Sequence, residues 1–125
     1  MEEFLQKYTE AFDSLDADAI ADLYMLPCSA SDVDGAKVFS SRESLFKKFS
    51  GNCASMKNRG YKYSKFNILD VTDMDGMAKA VVVGWRVYTQ NSELEFRALY
   101  ICHNINNTWR IFSANVYPGS FNNAT

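Results

Sequence analysis

The sequence predicts an α+β domain in which three N-terminal helices pack on a curved, four-strand antiparallel meander that carries a short extra strand. Two observations support this prediction. Apolar residues recur at helical spacing before residue 60, and four alternating segments separated by short turns fill 61–117. Helices that precede a run of antiparallel strands usually cover one face of the sheet. We expect the domain to span 1–119 and residues 120–125 to form a loose polar tail.

The first two predicted helices lie before the only early proline. Apolar positions on one face predict a helix over Glu2–Ser14. A second helix is predicted to begin after Asp16, which is a suitable N-cap, and to include Tyr24 on its apolar face. It should end at Leu26-Pro27, because the residue before a proline is pushed out of the helical region.

A short extended region separates these helices from the third. Cys28–Asp34 is predicted to be extended or irregular, and Lys37–Phe39 to form a short strand. Ser40 followed by Glu43 forms a capping box for the third helix. Gly60 should end this helix, because glycine readily adopts the left-handed conformation of a helix C-terminus.

The four strands of the meander are marked by turn residues that tolerate positive φ. Each turn lies between segments rich in β-branched and aromatic residues. The predicted strands are Tyr61–Asp73, Met77–Gln90, Glu93–Ile105 and Thr108–Tyr117, joined at Asp75-Gly76, Asn91-Ser92 and Asn106-Asn107.

Two-residue loops at the last two turns would fix which side chains share a face. Trp85 would then lie opposite Ala98, and Tyr100 opposite Ser113. The face predicted to be covered by the helices includes Val81, Val83, Trp85, Tyr100, Cys102, Ile111, Ser113, Asn115 and Tyr117. On the other face Arg86 and Arg97 would lie opposite each other, so we expect a carboxylate such as Glu95 beside them.

Composition excludes several classes of function. A chain of 125 residues with a net charge of −2 offers no basic surface for nucleic acid. No apolar run reaches the length of a membrane helix, and the acidic N-terminus lacks the features of a secretory signal. Three cysteines without paired spacing indicate reduced thiols in a cytoplasmic protein. With one histidine the chain is expected to bind no metal, and no motif indicates a cofactor.

Three local patterns carry a resemblance to a known family. They are the Asp-x-Asp opening within residues 12–20, the capped helix Ser40–Arg59, and Trp109-Arg110-Ile111 at the start of the last strand. With the order of elements, they make nearly the whole chain resemble the nuclear-transport-factor-2-like superfamily, which includes SnoaL-like polyketide cyclases and ketosteroid isomerases. The resemblance implies a cone-shaped fold with an internal cavity.

The resemblance also implies a homodimer, because relatives commonly associate through the outer face of the sheet. That face is amphipathic in this sequence. The residues expected at the dimer contact are Val82, Arg86, Arg97, Leu99, Ile101 and Phe112.

A mostly apolar cavity with a few converging polar groups is the usual form of a small-ligand site. We therefore expect the cavity to bind a small, largely apolar organic molecule. The alternative is that the same polar groups satisfy one another inside an ordinary core. The predicted ligand-binding residues are Tyr24, Trp85, Tyr100, Ser113, Asn115 and Tyr117.

The resemblance to ketosteroid isomerases implies catalytic roles for two residues. Asp32 would be the general base and Tyr8, on the first helix, would donate a hydrogen bond to a developing oxyanion. The second acid of that family has no counterpart near Tyr100 or Cys102. Three functions therefore stay open: an isomerase or cyclase, a ligand-binding protein without chemistry, and a protein-interaction module. The residues alone favour the alternatives, in which Asp32 is a solvated turn residue before Val33-Asp34-Gly35 and Tyr8 packs with its hydroxyl bonded to a neighbour.

Overall fold

The computed structural model describes residues 1–123 of the chain, in nine elements. The elements in chain order are α1 (Glu2–Asp13), α2 (Ala17–Ala21), β1 (Tyr24–Asp32), β2 (Gly35–Phe39), α3 (Arg42–Asn58), β3 (Tyr61–Met74), β4 (Ala78–Thr89), β5 (Glu93–Ile105) and β6 (Thr108–Tyr117).

One curved, open sheet of six strands forms the body of the molecule, in the order β2-β1-β6-β5-β4-β3. Strands β3 to β6 form the predicted antiparallel meander, and β1 and β2 form a further hairpin. β1 joins this meander in parallel to β6. The helices cover one face of the sheet, which we call the inner face; the opposite face is the outer face. The α+β fold predicted from the sequence is therefore confirmed.

The second predicted helix is much shorter than expected. Its N-cap is confirmed, because the Ala19 N–H donates to the Asp16 carboxylate over 3.1 Å, but α2 ends at Ala21. Tyr24 lies on β1 rather than on a helix. The Ile111 N–H donates to the Leu23 carbonyl over 2.9 Å, so hydrogen bonding to β6 replaces further helical turns.

The third helix begins one residue later than predicted. Ser41, not Ser40, is the N-cap, and its hydroxyl accepts a hydrogen bond of 3.1 Å from the Ser44 N–H. The helix ends as predicted, because Gly60 follows it with a φ of +75°. Few L-residues with a side chain adopt that conformation cheaply.

Two of the three predicted hairpin turns have the expected geometry. Asp75 and Gly76 have φ values of 58° and 70°, and Asn106 and Asn107 have values of 51° and 64°. Two successive left-handed residues are the mark of a type I′ turn, whose twist matches that of the flanking strands.

The turn between β4 and β5 is longer than the predicted Asn91-Ser92 pair. Tyr88 pairs with Glu93, and Trp85 therefore lies opposite Phe96 instead of Ala98. The register differs from the predicted one by two residues. Since side chains alternate with a period of two, every side chain of β4 and β5 stays on its predicted face.

The corrected register separates the two outer arginines. Arg86 lies opposite Glu95, and Arg97 lies opposite Gly84, so the prediction that the arginines face each other is wrong. The expected carboxylate is present, because an Arg86 guanidinium nitrogen (Nη2) donates to Glu95 over 3.3 Å.

The register between β5 and β6 changes at a bulge. Cys102 pairs with Ile111 as predicted, but Ile101 pairs with Ser113, which leaves Phe112 as an extra residue in β6. Beyond this point the alternation of β6 is offset by one residue. The change turns Ser113 and the polar residues after it to the outer face.

The C-terminal segment lies against the outer face instead of extending away as a loose tail. The Phe121 N–H donates to Glu95 over 2.6 Å, and the Arg97 guanidinium donates to the carbonyls of Ser120 and Asn122, each over 2.9 Å. The Phe121 ring centroid lies 4.3 Å from the Arg86 guanidinium carbon. We call residues 118–122 the strap. The last two residues of the predicted tail, 124 and 125, lie outside the described residues.

The apolar core lies between the inner face and the helices. Tyr8 of α1 packs within 5.9 Å of Trp85 and 5.7 Å of Tyr100, measured between ring centroids. This places both sheet residues under the helices, as predicted. The side chains that are fully buried include Leu5, Ile20, Leu45, Phe49, Val81, Val83 and Ile111.

Candidate functional site

A cavity of about 440 Å³ lies between α1, α3 and the inner face of the sheet. Pockets of about 300–1,000 Å³ are typical of small-molecule sites. Its wall is formed by residues from both helices and from β1, β3, β4, β5 and β6. The cavity therefore joins elements that are far apart in the sequence.

Four aromatic residues form the floor of the cavity, and each carries a polar group. They come from α1, β1, β4 and β5, so the fold, and not any local motif, brings them together. Their exposed fractions lie between 3% and 7%. The four are Tyr8, Tyr24, Trp85 and Tyr100, and we call them the aromatic floor.

The polar groups of the aromatic floor are hydrogen-bonded to one another. The hydroxyls of Tyr8 and Tyr24 lie 2.8 Å apart, and the Trp85 indole N–H donates to the Tyr100 hydroxyl over 2.9 Å. These two hydrogen bonds use two of the four N–H and O–H protons of the floor. The Tyr100 hydroxyl proton and one hydroxyl proton of the Tyr8–Tyr24 pair are therefore left to meet a ligand oxygen.

Burial keeps these phenols neutral. It raises the pKa of Tyr8, Tyr24 and Tyr100 well above the ordinary tyrosine value, and the proximity of the other phenols raises each pKa further. A neutral phenol can donate a hydrogen bond but is a poor base. The floor is suited to holding a carbonyl or hydroxyl oxygen in place.

Asp32 lies at the rim of the cavity. It lines the same cavity as Tyr8, which agrees with the placement that the resemblance implied. Its side chain, however, is exposed, and it accepts a hydrogen bond of 2.8 Å from the Asp34 N–H. The carboxylate is thus part of the turn before Gly35, and water competes for it.

Three of the predicted ligand-binding residues do not reach the cavity. Ser113, Asn115 and Tyr117 lie beyond the bulge in β6, and Ala114 and Val116 line the cavity in their place. The Asn115 amide nitrogen donates to the Leu99 carbonyl over 3.1 Å, and its oxygen accepts from Ser31 over 2.8 Å. These contacts tie β1, β5 and β6 together on the outer side. Asn115 therefore acts as a structural residue.

One wall of the cavity was missed by sequence reasoning. It is lined by Lys48, Asn52 and Ser55 of α3 and by Arg59, the C-cap residue of this helix, beside the buried ring of Phe49. They recur at intervals of four, three and four residues, which places them on one helical face. The signal that could have found this wall is the spacing itself, because residues three and four apart share one helical face.

Among the described residues there is no cluster of metal-binding side chains and no helix suited to span a membrane. Within 1–123 no group of three or more metal-binding side chains comes together. In the same part of the chain, none of the helices has the length and apolar character required to cross a bilayer.

A family model described as NTF2-like protein (DUF6841) matches residues 1–119. This confirms the resemblance found in the sequence. No curated protein matches the chain significantly.

Solved structures share the fold at low sequence identity. An NTF2-like protein of unknown function from Shewanella oneidensis superposes with a TM-score of 0.76 at 18% identity, over 92% of this chain and 93% of that chain. A protein provisionally assigned as a scytalone dehydratase, from Novosphingobium aromaticivorans, gives 0.71 at 11% identity, over 99% and 86%. A protein provisionally assigned as a calcium/calmodulin-dependent protein kinase II association domain, from Xanthomonas campestris, gives 0.70 at 17%, over 92% and 82%. At these identities the likeness establishes the fold alone.

Proposed function

This chain belongs to the NTF2-like family, and we propose that it binds a small, largely apolar organic molecule in the cavity. The single observation that supports this proposal most strongly is the aromatic floor: four buried rings with linked polar groups at the base of an open cavity of about 440 Å³. The rings provide apolar contact area, and a hydroxyl proton that is not used within the floor can orient the ligand by a hydrogen bond. The proposed ligand therefore carries a carbonyl or hydroxyl oxygen at its buried end.

A matched pair of probes tests this proposal. 2-Acetylnaphthalene presents a carbonyl, whereas 2-ethylnaphthalene has nearly the same shape without the oxygen. We expect the ketone to bind about threefold to tenfold more tightly, as one hydrogen bond of about 1 kcal/mol provides. Calorimetric titration of both probes measures the difference. Failure of both probes to bind would contradict the proposal.

Tyr100→Phe supplies the matched variant, because it removes one hydroxyl and keeps the ring. The indole N–H of Trp85 loses its acceptor at the same time. We expect the preference for the ketone to fall below about twofold while the affinity for 2-ethylnaphthalene stays within about twofold. Tyr117→Phe, on the outer face, is the control and should leave both affinities unchanged.

A catalytic role is the second candidate, because the Asp32 carboxylate lines the same cavity as Tyr8. As an isomerase or cyclase, the protein would use Asp32 to remove a proton next to a carbonyl held by Tyr8 and Tyr100. Dehydratase-like names occur among proteins of the same fold. The exposure of Asp32 favours binding without chemistry.

Deuterium exchange separates these two candidates. An enzyme of this kind would exchange the acetyl protons of 2-acetylnaphthalene for deuterium in D₂O, and Asp32→Asn would abolish that exchange. A binding protein would bind the ketone without accelerating exchange. Proton NMR of the acetyl group follows the reaction directly.

We also propose a homodimer through the part of the outer face that the strap leaves open. Residues such as Leu99, Ile101 and Phe112 are only half-buried or exposed there, next to Val82. Arg86 and Arg97, expected in the same contact, bind the strap and would lie at its border. The fold neighbour provisionally assigned as an association domain supports self-association in this fold. Sedimentation velocity of the wild type and of Ile101→Asp tests the proposal: a dimer that the variant disrupts is expected, and a wild-type monomer would refute it.

The three cysteines support a reducing, cytoplasmic location, which we propose for this protein. Cys28, Cys53 and Cys102 are free and buried in the structure. Thiol titration of the freshly purified, denatured chain should find three reactive groups. Fewer than three would indicate oxidation.

A further inference from the structure

Two cationic side chains line the same cavity as the aromatic floor. Lys48 of α3 and Arg59, the C-cap residue of α3, lie on the same helical face as Asn52 and Ser55. Lys48 is half-buried and Arg59 is exposed, whereas the floor is nearly fully buried. The cavity thus passes from a neutral, aromatic interior to a charged rim.

The two cations are not neutralised by ion pairs within the described residues 1–123. The lysine next to Lys48 behaves differently, because Lys47 lies 3.5 Å from Glu43 on the preceding turn of the helix. Lys48 instead extends over the rings of Phe39 and Phe49, with its ammonium nitrogen 5.8 Å and 5.7 Å from their centroids. This contact fixes the side chain beside the cavity and leaves its charge available.

The rim also carries one carboxylate, which reduces the positive charge that an anionic ligand would meet. Asp32 lines the same cavity, but Lys48 and Arg59 give the lining a net charge of +1. Asp32 accepts a hydrogen bond from the turn that follows it and forms no ion pair within 1–123. An anionic ligand group near α3 could therefore approach either Lys48 or Arg59 without displacing an existing partner.

From this arrangement we infer that the ligand is a carboxylate-bearing aromatic or alicyclic molecule that binds with its apolar body on the aromatic floor and its carboxylate at the rim, on the side that carries Lys48 and Arg59. The inference rests on the proposed binding function and names its substrate class. The reverse orientation is unfavourable, because a carboxylate on the floor would lose its hydration among neutral, buried phenols. The charge gradient thus sets the direction of entry as well as the class of ligand.

2-Naphthaleneacetate and 2-naphthaleneacetamide test the inference, since they differ in charge and hardly in shape. By calorimetry at neutral pH and about 20 mM salt, we expect the acid to bind about threefold to tenfold more tightly than the amide. About 0.5 M NaCl should reduce this preference to below about twofold, because mobile ions screen partly exposed charges. The salt series uses the unaltered protein and does not depend on the folding of any variant.

The variant Lys48→Gln/Arg59→Gln should remove the preference for the acid and change the affinity for the amide by less than about twofold. Lys57→Gln is the matched control, because it removes a charge from the exposed last turn of the same helix, away from the cavity. Equal binding of acid and amide to the wild type would overturn the inference, as would an unchanged preference in the double variant. Binding of neither probe would instead count against the proposed function itself.

Discussion

The two faces of the sheet differ in what covers them. The inner face carries large aromatic rings and keeps a cavity of about 440 Å³ beside them. The outer face has its polar groups engaged by the protein's own C-terminus, and Phe121 covers the Arg86 guanidinium. The C-terminal segment thus fills part of the outer face, whereas a cavity remains between the helices and the inner face. This contrast is a further structural reason to regard the inner cavity as a binding site.

The largest difference should appear when a phenylalanine is removed from each side of the sheet: Phe49 of α3, which packs over the inner face, and Phe112 of the outer face. Phe49 is 2% exposed and packs on Phe12 and Tyr24, with ring centroids 6.2 Å and 5.0 Å away. Phe49→Ala should lower the free energy of unfolding by about 3–5 kcal/mol. Phe112→Ala, on the outer face, should cost less than about 1 kcal/mol. Urea denaturation measures both, and similar losses would show that the inner face does not hold the core.

Removal of the strap should have the next largest effect. A chain that ends at Gly119 loses the hydrogen bonds from Arg97 and to Glu95, and we expect it to be about 1–2 kcal/mol less stable. Its affinity for 2-acetylnaphthalene should not change, because the strap lies on the other side of the sheet. A large change in that affinity would contradict the separation of the two faces.

A single methyl group should displace the strap in the full-length chain. A Cβ atom at Gly84 would lie 2.2 Å from the carbonyl oxygen of Phe121, which is far inside contact distance. Gly84→Ala should therefore reproduce the loss of stability seen on truncation, and add nothing to it in the truncated chain. Gly51 on α3 is the control, since a methyl there meets open space and should stabilise the helix by about 0.5–1 kcal/mol.

Alkaline pH should lower the stability of the folded protein, because the Cys102 thiol is buried on the inner face. Burial raises the pKa of this thiol from 9.0 to about 12, so the unfolded chain releases the proton at lower pH than the folded chain. The stability that the folded protein gains by keeping the Cys102 thiol neutral is complete below pH 9 and is lost as the pH rises toward 12. Between pH 9 and 10 the wild type should lose about 1 kcal/mol more than Cys102→Ala. Equal slopes in urea titrations of the two proteins would contradict this assignment.

Acid should loosen the outer face, and this is the smallest expected effect. The Phe121 N–H and then Arg86 lower the pKa of Glu95 below its usual value. The stabilisation that the ionised Glu95 carboxylate provides is therefore present above the ordinary glutamate pKa, and it is lost as the pH falls through the lowered pKa of Glu95. Limited proteolysis with pepsin should cut at the strap more readily at low pH. Glu95→Gln should leave the strap open at neutral pH, so a protease that is active at neutral pH should cut the variant's strap faster than that of the wild type. Equal rates of cleavage would contradict a role for the Glu95 carboxylate in holding the strap.

Local turn chemistry explains why most of the fold could be predicted. Asn106-Asn107 and Asp75-Gly76 accept left-handed conformations, and these pairs alone located two hairpins. The error at Asn91-Ser92 did little harm, because a register shift of two residues keeps Trp85 and Tyr100 on the inner face. A register error of an even number of residues keeps each side chain on its face of the sheet, whereas an odd error moves it to the opposite face.

The parts of the site that could not be predicted depend on non-local pairing. Nothing around Phe112 marks it as an inserted residue, yet that bulge removes Ser113 and Asn115 from the cavity. The strap was missed for a similar reason, since the partners of Phe121 lie on β3, β4 and β5, far away in sequence. Lys48 and Arg59 belong to a polar stripe whose inward direction is set only when α3 packs on the sheet.

The indole N–H resonances of the two tryptophans report whether a ligand occupies the cavity. Trp85 lines the cavity and donates to Tyr100, whereas Trp109 lies at the start of β6 beside Lys79. On titration with 2-acetylnaphthalene in a ¹⁵N-labelled sample, we expect a saturable shift of the Trp85 indole resonance and none at Trp109. A Trp85 resonance that does not move, or two resonances that move together, would contradict binding in the cavity.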